Sequence, residues 1–156
     1  MVRGFLSRVV TLLILAVVLS GLIQATNLFS RDLLFTQTQT ELSFWARGNY
    51  RPEPTTILRT EQALHTLLSA APADPQYLAA QANYVVWQGH WTEDFRAAQQ
   101  FGQRAVEAQY AALESRPAHR QSWAIMVKYA ARIQDEAMRT EARSRVKALE
   151  AETNPI

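Results

Sequence analysis

The chain has no cysteine in 156 residues. That excludes disulfides, thiolate metal sites, a cysteine nucleophile and the lipidated cysteine of a bacterial lipoprotein. Histidine is scarce, and His65, His90 and His119 stand far apart, with no HExxH or HxH spacing to suggest a metal. There is no Gly-rich phosphate loop and no GxSxG, and the five glycines and six prolines are too few for a low-complexity chain. The adjacent acids Glu93-Asp94 and Asp135-Glu136 sit where helices should start, so capping and the helix dipole account for them. These absences lead us to expect no enzyme, no cofactor and no metal.

Charge of one sign is also missing. The formal net charge is +2, and Arg3 and Arg8 alone supply it. Residues 52–115 carry three arginines against seven carboxylates, and residues 116–147 carry eight basic residues against three acids. An acidic half followed by a basic half is a weak version of a nucleic-acid footprint, which needs a concentrated basic surface with stacking aromatics. We expect no nucleic-acid partner and read the two halves as complementary, soluble faces.

What is present begins at the N-terminus. From Val9 to Ser30 no residue is charged, and Val9–Ile23 is almost wholly apolar. About 20 helical residues cross the ~30 Å hydrocarbon layer, so the polar end Gln24–Phe29 must help reach the interface. A cleavable signal needs small residues at −1 and −3. A cut after Ala25 puts Ile23 at −3, and a cut after Gly21 puts Leu19 there, so an uncleaved signal anchor is the better reading. With Arg3 and Arg8 before the apolar run, the positive-inside rule keeps residues 1–8 in the cytoplasm and exports the rest.

Residues 31–54 read as a juxtamembrane helix and an aromatic neck. Leu28, Phe29, Leu33, Leu34 and Phe35 keep helical spacing past the span, and a TQTQT run, Thr36–Thr40, follows. Phe44, Trp45, Arg47 and Tyr50 then crowd together, Arg-Gly-Asn at 47–49 breaks the helix, and Pro52-Glu53-Pro54 extends the link. Such a cluster fits the lipid interface, the core of the following domain, or a docking surface for a membrane partner. The polar spacer favours packing on the domain, and the four residues are the candidate partner contacts.

Residues 55–156 predict an all-α domain. Thr55/Thr56 are placed to cap a helix over Ile57–Ala71. Asp74 and Pro75 are the N-cap and first position of a second, running to about Gln88, where Gly89 stops it. Thr92-Glu93-Asp94 caps a third, Glu93 to about Ser115, whose apolar set includes Phe95, Phe101, Val106 and Tyr110. A fourth covers about His119–Ile133 and a fifth Asp135–Glu152, with Asn154-Pro155 closing the chain. Leu68–Gln76 and Leu113–Gln121 share a layout of helix end, Pro-Ala and new helix, at an offset of 45 residues. That repeat, with Tyr77 and Tyr84 seven apart, resembles degenerate tetratricopeptide repeats, although the period is not 34 and Gln81 stands where the expected Gly would be. The rival arrangement is a small orthogonal bundle without a groove. Trp87-Gln88-Gly89-His90-Trp91 reads either as two tryptophans packed in a turn or as an aromatic platform of the kind that holds sugars. Tyr77, Tyr84, Trp87, His90 and Trp91 are therefore the candidate groove or sugar contacts.

A basic tip, one anchor, the Thr40–Pro52 neck (TELSFW-x-RGNY-x-P) and a short helical tail together resemble the VpsP-like proteins of bacterial exopolysaccharide gene clusters. The neck is the most specific part. The resemblance implies a bacterial inner-membrane protein, single-pass, with a periplasmic helical domain. It would be a non-catalytic accessory in exopolysaccharide biosynthesis or export, partnered by other proteins of an envelope polysaccharide complex. The alternatives are a periplasmic helical-repeat scaffold of a secretion or division machine, and a sugar-binding module around Trp87–Trp91.

Overall fold

The computed structural model describes the backbone of residues 2–47 and 50–153, and side chains between Leu13 and Glu152 within those limits. Gly48, Asn49, Asn154 and Pro155, which the sequence reading uses as a helix break and a chain end, lie outside the described residues, as do the side chains of Arg3 and Arg8. The described residues form six helices and no strand: α1 (Val2–Trp45), α2 (Pro54–Ala70), α3 (Pro75–Trp91), α4 (Phe95–Ser115), α5 (Arg120–Arg132) and α6 (Glu136–Thr153).

α1 is a single helix of 44 residues, about 66 Å at 1.5 Å per residue. Between Gly21 and its end it contains neither Gly nor Pro, so nothing local interrupts it. The TQTQT run stays helical because its hydroxyls bond back to the preceding turn: Thr38 Oγ1 donates to the Leu34 carbonyl and Thr40 Oγ1 to the Thr36 carbonyl, each at 2.8 Å. Leu13 to Ser30 are all exposed, and this part of α1 is long and apolar enough to cross a membrane. Burial begins at the next residues. Phe35 packs on Tyr77 with ring centroids 5.2 Å apart, Thr38 is buried, and Leu42 and Trp45 are 1% and 2% exposed. The helix that leaves the apolar segment is thus the first core helix of the domain, and the segment read as a neck supplies it.

The links between helices alternate in length. Four residues, 71–74 and 116–119, join α2 to α3 and α4 to α5; three, 92–94 and 133–135, join α3 to α4 and α5 to α6. Such short links fold successive helices back on one another. Packing is most extensive within α3/α4 and α5/α6, with α1 against both α2 and α3. The result is a row of three helical hairpins, the first made of the end of α1 and α2. Two core clusters lie along the row. One joins Leu42, Trp45, Leu64, Tyr84 and Ala105; the other joins Val106, Leu113, Trp123, Met126 and Ala142. α4 serves both through neighbouring residues on its two sides.

The 45-residue repeat is a repeated turn. Ala71 (φ −149°, ψ 79°) and Arg116 (φ −139°, ψ 62°) leave their helices in nearly the same conformation. The Asp74 amide then donates to the Ala71 carbonyl at 3.1 Å, and the His119 amide to the Arg116 carbonyl at 3.0 Å. Asp74 caps α3 by accepting from the amides of Gln76 and Tyr77, and His119 caps α5 by accepting from Ser122.

Three local expectations change. α2 starts earlier, at Pro54, with proline in its first turn and no side-chain cap from either threonine. Gly89 does not stop α3, which runs on to Trp91. Gly89 is buried, and a Cβ there would lie 3.0 Å from Phe101 Cβ and 3.3 Å from the Ala98 carbonyl oxygen. It is a glycine of close helix approach, and α3 ends instead where Thr92 turns extended and Asp94 caps α4. Phe95, counted among the apolar residues of α4, is 76% exposed.

A candidate cleft at the end of the first hairpin

Glu41 organises the site. It sits one turn before Trp45 on α1, and its Oε1 accepts from the Trp45 indole N–H and from the Tyr50 hydroxyl, both at 2.7 Å. One carboxylate oxygen thereby fixes the end of α1 and the link that follows. The hydrogen bond to Glu41, with some desolvation and the charges of Glu41 and Glu53, raises the Tyr50 phenol above its ordinary range.

Trp45 then reaches α3. Its ring lies 4.8 Å from Trp91 and 5.9 Å from Tyr84. Trp87, one turn before Trp91, is 6.1 Å from it and meets the His90 ring edge-on at 5.4 Å. These are the offset and edge arrangements that aromatic quadrupoles favour. The two groups of candidates, separated by some 40 residues of sequence, therefore converge. Trp45, Arg47, Tyr50, Trp87, His90 and Trp91 line one cleft of about 520 Å3, with Arg51 and Glu93 beside them.

Three candidates fall elsewhere. Phe44 lies outside the cleft, its ring 5.9 Å from Tyr50 and covered by the Arg47 guanidinium at 4.2 Å. Tyr77 packs on Phe35 at the other end of α3. Tyr84 sits behind Trp45 and faces a second cleft of about 680 Å3 between α2, α3 and α4, with Glu61, His65, Arg104 and Glu107 around it. Sequence reasoning missed that second cleft and also the role of Glu41. The first had a weak signal in the polar pairs Glu61/His65 and Arg104/Glu107 flanking apolar helix faces; the second had none, since a glutamate in a mixed segment looks like any other.

Within the interior, Gln109 is fully buried; its amide donates to the Ser122 carbonyl at 3.2 Å, while its Oε1 has no partner among the described residues. His119 is spent on the α5 cap, and among the described residues no group of three His, Asp or Glu side chains converges.

Burial pushes the Tyr84 phenol up to about 12, helped by the charge of Glu61, and burial does the same to Tyr129. Unfolded tyrosines ionise near 10. Between pH 10 and about 12 the unfolded chain therefore loses these protons first, so stability that is full below pH 10 drains away as the pH rises. The urea midpoint should fall between about pH 9.5 and 11.5, and Tyr84→Phe should flatten that fall. A midpoint unchanged over the interval would contradict the burial of both phenols.

Compared with known proteins, the chain matches no family, no curated protein and no solved structure.

Proposed function

We propose that this chain is a membrane-anchored, non-catalytic adaptor in bacterial exopolysaccharide biosynthesis or export, with its N-terminus in the cytoplasm and its helical domain in the periplasm. The observation that carries the adaptor reading is the continuity of α1. A hinged tether would need only a span and a flexible linker. This helix instead runs from the apolar segment into the domain core as Leu42 and Trp45, which fixes the domain's height and rotation relative to the membrane. Such a mount suits a protein that presents a surface to other envelope components at a set position.

The orientation is supported by Arg3 and Arg8 ahead of the apolar run. The pathway is supported by the resemblance of Thr40–Pro52 to the neck of VpsP-like proteins. The row of hairpins with its repeated Pro-Ala turn supports a tetratricopeptide-like scaffold, a type that stacks helical pairs into partner-binding surfaces.

Deleting the gene should abolish or sharply reduce exopolysaccharide while leaving growth and division intact. Normal polymer in the deletion strain would remove the pathway assignment and favour a general envelope scaffold, whose partners photo-cross-linking from position 50 would then identify.

A further inference from the structure

The cleft at the end of the first hairpin has a composition that selects its ligand. Trp45 forms its floor, and its N–H is already spent on Glu41. Trp87 and Trp91 are only half-buried, so part of each indole faces the opening. Arg47 and Arg51, from the link after α1, also line the cleft. Among the described residues the ion pairs are Arg120–Glu150 and Arg139–Glu136, so neither Arg47 nor Arg51 has a carboxylate within 4.0 Å. Among the described residues, Glu93 is the one carboxylate lining the cleft.

Flat apolar faces beside two guanidinium groups without a carboxylate partner, Arg47 resting on the Phe44 ring and Arg51 exposed, suit a ligand that is itself flat, apolar on one side and anionic at its edge. A pyranose ring bearing a carboxylate has that form. Its C–H face can lie on an indole, and a guanidinium fork takes a carboxylate with two parallel hydrogen bonds. The volume, about 520 Å3, falls within the ~300–1,000 Å3 of small-ligand sites. Lipid headgroups fit poorly, because Trp45 lies fifteen residues beyond Ser30 on the same helix, about 22 Å further along. An acidic peptide would use the arginines but leave the indoles idle.

We propose that this cleft binds an acidic saccharide, a chain containing uronic-acid-type sugars, by stacking on Trp87 and Trp91 and pairing carboxylates with Arg47 and Arg51. This deepens the polysaccharide reading given above but is tested apart from it. Three of the four tryptophans line the cleft and Trp123 lies in the other core cluster, so tryptophan emission of the full chain in detergent micelles reports on occupancy.

An oligogalacturonate should shift the emission saturably. A neutral malto-oligosaccharide of equal length should bind about ten-fold or more weakly, and Arg51→Ala, at an exposed position, should weaken the acidic sugar to a similar degree. Binding should also weaken with added salt. Trp87→Ala should abolish it if circular dichroism shows a folded domain; if that variant fails to fold, Arg51→Ala decides. The absence of a saturable shift with oligogalacturonate overturns the proposal. So does equal binding of oligoglutamate, which would make the site a peptide cleft, or equal binding of the neutral sugar undisturbed by Arg51→Ala. Binding in vitro with normal polymer in the deletion strain would keep the cleft and sink the pathway; the reverse would sink the cleft alone.

Discussion

Trp45→Ala will destabilise the helical domain by about 3–5 kcal/mol, the range for deleting a large buried aromatic. Trp45 is 2% exposed and touches Tyr84 and Trp91, both on α3. Its removal opens a cavity at the point where α1 meets α3, and α1 meets α2 and α3 only over its last few turns. The cavity cannot be filled from the far side, because that side is the cleft. The variant also strips Glu41 of one of its two hydrogen bonds. Against a typical total of about 5–15 kcal/mol, this is a third of the stability or more. Urea unfolding of the full chain in detergent, followed by far-ultraviolet circular dichroism, should show the midpoint displaced with the slope unchanged. Trp45→Phe, which keeps a ring but no N–H, should cost less, and Phe44→Ala, at a half-buried position outside the core, less still. If Trp45→Ala and Phe44→Ala melt alike, residues 35–45 are not part of the core.

That prediction also marks how far the sequence could be read. The caps at Asp74 and Asp94 and the stop before Pro117 were legible because capping is settled within four residues. The helix content was legible for the same reason. Gly89 was not, since its purpose is to let Phe101 and Ala98 on α4 come close, and nothing near position 89 names that partner. Trp45 was ambiguous between docking surface and core because an aromatic residue beside arginines suits both, and only the fold-back of α2 and α3 decides it. The two candidate groups of the cleft were each visible, but their meeting depends on α1 and α3 lying side by side.

The charge division of the sequence takes on spatial form in the row of hairpins. Of the acidic residues of 52–115, Glu61 falls on α2, Glu107 and Glu114 on α4 and the other four on the links before α2, α3 and α4, whereas the basic excess of 116–147 falls on the last hairpin and the link before it. The described ion pairs lie inside that last hairpin, so the two ends of the row do not neutralise each other through contact. Both surface pairs are worth little in stability. Five of the seven carboxylates, Asp74, Glu93, Asp94, Glu107 and Glu114, thus lie in the middle of the row, on α4 and the links on either side of α3, with the basic excess in the last hairpin.

Asp32→Pro will uncouple the domain from the apolar segment without unfolding it. Asp32 is exposed, between the exposed apolar segment and the first residue packed on the core, Phe35. Proline there removes the amide that bonds one turn back and crowds the carbonyl of Leu28, at a cost of about 3 kcal/mol or more to an uninterrupted helix. From position 32 onward, however, proline is an acceptable first-turn residue, so the part of α1 that carries Leu42 and Trp45 can stay helical. The strain is then relieved by bending at 28–32. Because the chain has no cysteine, spin labels can be placed singly at Leu22→Cys in the apolar segment and Glu107→Cys on α4 and their separation measured by pulsed electron resonance. The parent chain should give one narrow distance distribution; Asp32→Pro should shift and broaden it, and Asp32→Ala should not. Domain stability should change by no more than about 0.5 kcal/mol, as for other surface substitutions. A broad distribution in the parent would mean that α1 is a tether and would take away the rigid-mount argument. A narrow one, together with loss of exopolysaccharide in a folded, membrane-inserted Asp32→Pro strain, would show that the position of the domain, and not its attachment alone, is what the pathway requires.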